Sequence, residues 1–207
     1  MANGQAPHAL DEADVRRRRA RSLDRLVLGC GTSPTPECVN FDINAGPGVD
    51  IVGDLTHTPW VWETGEPIAD GHFAHIDASH VLEHVPHDVF KTDEDGYVKR
   101  LTDLDGLTVV MNEAWRVLVE GGSFLITVPC FNGGEPERCF GDPTHRRYMC
   151  RRSFRHYSRN PDEDINMWKE WTGYDERLAG CFVSDPSSGV KTESNGDLVM
   201  LLWKPHA

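Results

Sequence analysis

The chain is short of basic residues, of long apolar runs and of paired cysteines. It has 21 Lys and Arg against 33 Asp and Glu, a formal net charge of -12. That average field argues against a general affinity for nucleic acid or for anionic membranes. No apolar run approaches the roughly 18 residues of a membrane span, so no membrane association is expected. The 6 cysteines include no C-x-x-C pair, which leaves buried or free thiols rather than a zinc ribbon or a disulfide framework. No internal repeat or long linker is present. The first residues carry no apolar stretch after their charges, so a secretory leader is not expected and the default setting is cytoplasmic.

What is present suits one domain of 207 residues with a core that needs no staple. Residues 1–14 are polar and aperiodic and are expected to form a disordered tail, with a single domain over 15–207. Four apolar runs follow in order: "RLVLG", "CVNFDIN", "VDIVGDL" and "FAHIDAS", each short enough for a buried strand. "DGLTVVMNEAWRVLVEGG" has helical period, with Leu104, Leu107, Val110, Met111, Ala114, Trp115 and Leu118 on one face. Gly121-Gly122 is read as its left-handed cap. "SFLITVP" is a fifth strand, and "DLVMLLWKP" a terminal one paired near "GCFVS". Apolar strands alternating with helices imply a mostly parallel α/β sheet covered on both faces, whose ligands lie at the carboxyl ends of the strands.

Those strand ends carry the chemistry. Gly29 and Gly31 allow a ligand to approach the backbone closely. Asp42 ends the second strand 11 positions after Gly31, where a carboxylate can accept from both hydroxyls of a ribose. Asp54 follows the third strand and can accept from an exocyclic amine such as adenine's. A dinucleotide fold requires G-x-G-x-x-G and a helix N-terminus for the pyrophosphate. Here Pro34 occupies the third glycine position and Pro36 follows, so the helix is expected to be shortened or absent. A ligand with ribose and adenine but no phosphate fits these facts, and S-adenosylmethionine is such a ligand.

Together, "LVLGCGTSPTPECVNFDIN", "VDIVGDL", "IDASHVLEHV", "NEAWRVLVEGGSFLITVP" and "DPTHRRY" resemble the class I S-adenosylmethionine-dependent methyltransferases over roughly Leu26 to Tyr157. The resemblance implies a Rossmann-like, seven-stranded, mostly parallel sheet with helices on both faces and one antiparallel edge strand. It implies S-adenosyl-L-methionine as cofactor. Gly29, Cys30 and Gly31 would face its methionine end, Asp42 its ribose, and Asp54 with Leu55 its adenine. Ser79 and His80 would line the sulfonium side. Residues 130–180 would be an acceptor-side insertion.

Two further groupings stand out. His80, His84 and His87 have i, i+4, i+7 spacing, which places them on one helical face. The glutamate is misplaced for H-E-x-x-H and Pro86 interrupts the pattern, so no metal is expected. His84 reads as a structural histidine or a base. From Pro143 to Asn160 the chain contains no acid, and Arg146, Arg147, Arg151, Arg152, Arg155 and Arg159 mix there with aromatics. Asn132, Arg146, Arg147 and Tyr148 are the candidate acceptor contacts, and His145 is a candidate base. Small-molecule, sugar and nucleic-acid acceptors all fit arginine and ring chemistry. Methyl transfer to an O or N nucleophile is the expected activity. A non-catalytic cofactor- or partner-binding module and a nicotinamide-dependent oxidoreductase are the competing readings.

Overall fold

A computed structural model describes residues 18–154, 156–159, 179–184, 190–192 and 195–206. The expected tail, Arg155 and much of the acceptor-side insertion lie outside them. The four early apolar runs become β1 (Arg25–Leu28), β2 (Val39–Asp42), β3 (Ile51–Val52) and β4 (Phe73–Ser79). A hairpin of β5 (Phe90–Thr92) and β6 (Val98–Arg100) stands apart from the main sheet. The remaining strands are β7 (Leu118–Pro129), β8 (Ser158–Arg159), β9 (Phe182–Ser184), β10 (Val190–Thr192) and β11 (Asp197–Trp203).

The main sheet runs in the order β3-β2-β1-β4-β7-β11-β9-β8. Parallel pairing joins β3 through β7, and β11 is reversed against both β7 and β9. Strand β10 also pairs antiparallel with β11, Val190 opposite Met200 and Thr192 opposite Leu198. The sheet is therefore mostly parallel with its reversed strand toward one edge. Its order changes direction between β1 and β4, and a crevice opens there at the carboxyl ends.

The helix Gly106–Val117 supplies the main helical cover. Asp105 caps it by accepting from the Leu107 N–H at 3.0 Å, and Leu107, Val110, Met111, Ala114 and Val117 are buried. Gly106 is required at its start, because a Cβ there would lie 2.2 Å from the Pro86 carbonyl oxygen. The loops between β3 and β4 supply further cover through Trp60 and Trp62, both buried. Glu113, on the helix, accepts from the Trp60 N–H at 2.6 Å and pairs with Arg116 at 2.6 Å, which fixes that loop to the helix.

One expectation fails in this region. Gly121-Gly122 does not cap the helix, which stops at Val117 with Leu118 already extended. Residues 119–122 bulge out of β7, since Phe73 pairs with Leu118 but His75 pairs with Ser123. Gly121 does adopt φ +75°, but it does so to turn the strand, donating its N–H to the Lys204 carbonyl at 2.9 Å. Strand pairing on both sides of "SFLITVP" outweighs the local cap signal.

Candidate functional site

The first loop behaves as its glycines require. Gly29 and Gly31 have φ of +66° and +57°, the left-handed region that costs an L side chain energy. The N–H groups of Gly29 and Cys30 donate to the Phe41 carbonyl at 2.8 and 3.2 Å. Gly31 donates to Asp42 Oδ2 at 2.8 Å, and Asn44 donates to Asp42 Oδ1 at 2.9 Å. Asp42 thus ties the turn after β1 to the turn after β2, while each oxygen keeps a second lone pair for a ligand. A Cβ at Gly29 would meet Val81 Cγ2 at 2.5 Å, whereas one at Gly31 would meet nothing within 4 Å. Gly31 therefore opens onto space, and Gly29 packs tightly. No helix follows: residues 29–38 are turn and coil, as Pro34 and Pro36 predict.

Beside this turn lies a cleft of about 160 Å³ lined by Gly29, Asp42, Ile43, Gly53, Asp54, Leu55, Thr56, Val81, His84, Val85 and Pro86. It brings together Gly29, Asp42, Asp54 and Leu55 from the expected set. Asp54 Oδ1 accepts from both the N–H and the hydroxyl of Thr56, at 2.8 and 2.7 Å, which fixes the carboxylate at the cleft wall. Cys30 is buried, and that burial, with Asp42 nearby, pushes its thiol up. Ile43, Gly53, Val81 and Val85 are lining residues the sequence reading missed. Ordinary apolar residues outside a motif give no signal of their own.

Beyond β4 the expected histidine face is absent. Only Leu82–His84 turns, as a single 3-10 turn, and His80 sits at φ +53°. The Pro86 break leaves too few residues for a helix, so His80, His84 and His87 go to different surroundings. His87 contacts Asp105 at 2.9 Å. His80 lies 3.4 Å from Glu83 Oε1 and 3.3 Å from Asp197 Oδ2. The Glu83 carboxylate pushes the His80 imidazole up, with Asp197 adding to it, against burial and Arg138. His84 approaches the Thr144 carbonyl at 3.3 Å and hydroxyl at 3.1 Å. Ser79 is exposed at the end of β4.

A second, larger cavity of about 560 Å³ adjoins, lined by His80, Glu83, His84, Pro129, Arg138, Gly141, Asp142, Pro143 and His145. His84 stands on the wall of both cavities. Of the expected acceptor contacts, Arg147 turns inward: it donates to the carbonyls of Val85 (2.7 Å) and Pro86 (2.6 Å) and pairs with Asp105 at 2.8 Å. Its side chain is 8% exposed, so it is a clamp of the scaffold rather than a contact for a ligand. Arg146 is exposed, and Tyr148 is exposed and packs against Phe140 with ring centroids 4.5 Å apart and planes tilted by 43°. Asn132 is exposed and accepts from the Cys130 thiol at 2.9 Å. His145 points one ring nitrogen at the Cys139 carbonyl at 2.9 Å. Arg138 and Asp197 were missed, because only the fold brings them beside the histidines, whereas Glu83 stands next to His84 in sequence and was weighed only against H-E-x-x-H.

No protein-family model matches the chain, and no curated protein matches it in sequence. Solved structures do match in shape. A SAM-dependent methyltransferase from Thermotoga maritima aligns with a TM-score of 0.50 at 10% identity, covering 92% of each chain. One from Archaeoglobus fulgidus gives 0.49 at 13% identity, covering 92% of this chain and 93% of that one. A protein from Bacillus halodurans described as a "putative methyltransferase" gives 0.48 at 14%, covering 93% and 98%. At 10% identity the likeness to the Thermotoga maritima structure is one of fold, and the fold is the one the sequence resemblance implied. Among the described residues, no helix is long and apolar enough to cross a membrane.

Proposed function

We propose that the chain is an S-adenosylmethionine-dependent methyltransferase acting on an O or N nucleophile. The observation that carries the reading is the cleft in which a left-handed glycine turn, Asp42 and Asp54 meet with no helix N-terminus behind them. Its parts match the chemistry of an adenosyl group. Gly31 opens the backbone to a ligand, Asp42 keeps acceptor capacity for ribose hydroxyls, and Asp54 stands beside Leu55 and Val85 for a purine. The missing helix disfavours a pyrophosphate and with it the nicotinamide reading.

When bound, the cofactor supplies a sulfonium methyl for in-line displacement, so the protein contributes mainly position and exclusion of water. Val81 and Val85 wall the cleft with apolar surface. His84 stands at the boundary where the donor cleft meets the acceptor cavity. Arg138 lines the acceptor cavity, and Phe131, Phe140 and Tyr148 are exposed in the segment after β7, so the acceptors to test include anionic and aromatic compounds. The test is transfer of a labelled methyl to a panel of sugar phosphates, nucleotides, aromatic acids and oligonucleotides. Transfer above that of Gly29→Ala supports the proposal. Cofactor binding with no transfer to any member favours the non-catalytic module.

A further inference from the structure

We infer that Glu83, His84 and His145 form a binding site for a divalent transition-metal ion, open to the acceptor cavity. One ligand atom from each residue lies within 4.8 Å of the others, and all three line the acceptor cavity. Ligand atoms on one tetrahedral zinc at about 2.1 Å lie roughly 3.4 Å apart, so only a small inward movement is needed.

Two independent observations point to an ion. The first is Glu83, whose side chain is 1% exposed while neither carboxylate oxygen has a hydrogen-bond partner. A buried carboxylate in that state is costly unless a cation completes it. His80 Nδ1 makes one long ion-pair contact with Oε1 at 3.4 Å, which leaves Oε2 without a partner among the described residues, and Arg138 is engaged with Asp197 at 2.9 Å. The main chain of Glu83 is held by the N–H groups of Arg146 and Arg147 at 2.8 and 3.0 Å, so the residue cannot readily swing to solvent.

The second is the orientation of the imidazoles. Nδ1 of His145 faces the Cys139 carbonyl at 2.9 Å, and Nδ1 of His84 faces the Thr144 carbonyl at 3.3 Å and hydroxyl at 3.1 Å. The Thr144 hydroxyl in turn donates to Asp142 at 2.6 Å, which leaves its lone pair for the His84 N–H. Each ring thus has Nδ1–H donated to oxygen and an Nε2 lone pair for a ligand, the arrangement that outer partners impose on metal-bound histidines. Two imidazoles and one carboxylate suit zinc, cobalt, manganese or iron rather than magnesium or calcium. Asp142, whose Oδ2 is 3.8 Å from His145 Nε2, adds negative charge at the rim.

The sequence spacing gives no hint of this, because it groups His84 with His80 and His87. His145 comes from 61 residues further along. The site makes the two histidines ligands rather than bases. Facing the cavity, the ion has positions left for an oxygen donor of the acceptor. This role toward an acceptor rests on methyl transfer; the ion site does not.

Cobalt(II) titration of the metal-stripped full chain reads the site without any activity. The expected result is one equivalent bound with visible d–d absorption and without a strong thiolate-to-cobalt band. His84→Ala, His145→Ala and Glu83→Gln should each weaken binding at least tenfold, while His87→Ala leaves it unchanged. Circular dichroism of each metal-free variant separates a lost ligand from a lost fold. Absence of binding by the wild-type chain, a thiolate band, or unchanged affinity in folded His84→Ala and His145→Ala would each overturn the proposal. Loss of methyl transfer with cobalt binding intact would count against the proposed function alone.

Discussion

The two cavities are assembled in different ways. The polar wall of the donor cleft is made by neighbours in sequence: Gly31 meets Asp42 across 11 residues, and Asp54 meets Thr56 across 2. The acceptor cavity and the wall between it and the donor cleft are sewn by distant pairs: His84 with Thr144 across 60 residues, and Arg147 with Val85 and Asp105 across 62 and 42. A site made of strand ends and tight turns depends on residue types that punctuate a sequence, so it can be read there. A site made of long-range contacts depends on how loops settle, and its residues look ordinary until they meet.

On that contrast, the acceptor side depends on Arg147 most. Arg147→Ala should cost about 3 kcal/mol in denaturant unfolding, since it strips partners from Asp105 and two carbonyls. The figure stays below that of a fully buried pair because the Asp105 side chain is 29% exposed. A loss under about 0.5 kcal/mol would mean that the clamp does not hold the cavity together.

Next come the glycines of the donor side, which should differ from each other. Gly29→Ala adds a left-handed side chain and a clash with Val81, together roughly 2–3 kcal/mol. Gly31→Ala adds only the backbone strain, roughly 1–2 kcal/mol, because nothing lies within 4 Å of its Cβ. Truncation of Val81 to Ala should rescue Gly29→Ala in part. Equal effects measured by thermal melts would contradict the packing described.

Asp42→Asn should follow, weakening S-adenosylmethionine by about tenfold, the scale of a charge-assisted hydrogen bond. The measurement is calorimetry, and unchanged affinity would sink the ribose assignment. The smallest effect concerns acid. Burial pulls the Asp105 carboxyl upward, but Arg147 and His87 outweigh it and hold the group below its ordinary value. Its contribution is therefore present above the unfolded carboxylate pKa of about 3.9 and is lost as pH falls through the depressed folded value. Asp105→Asn should flatten the acid limb of a stability–pH curve and leave its neutral-to-basic limb unchanged in shape.

What could be read from the sequence divides along the same line. Strands β1, β2, β4 and β11 fall where apolar runs end in glycine, aspartate, serine or proline. The absent first helix follows from Pro34 and Pro36, which deny it both length and hydrogen bonds. Gly121 misled because a left-handed glycine serves a strand bulge as well as a helix cap, and only the pairing of β7 with β4 and β11 decides. Arg147 misled for a related reason. An arginine among arginines suggests a ligand surface, yet its three acceptors come from the loop 85–86 and the helix cap. The hairpin β5–β6 carries exposed Phe90, Tyr97 and Val98, an unusual pattern that periodicity does not flag.

The central claim is that the glycine turn, Asp42 and Asp54 receive an adenosyl group without a phosphate. Calorimetric titration of the purified chain with S-adenosylmethionine, S-adenosylhomocysteine and NAD tests it most directly. Saturable binding of both adenosyl-sulfur ligands, with none for NAD, is the predicted result. Tight binding of NAD with none for the other two would contradict the account.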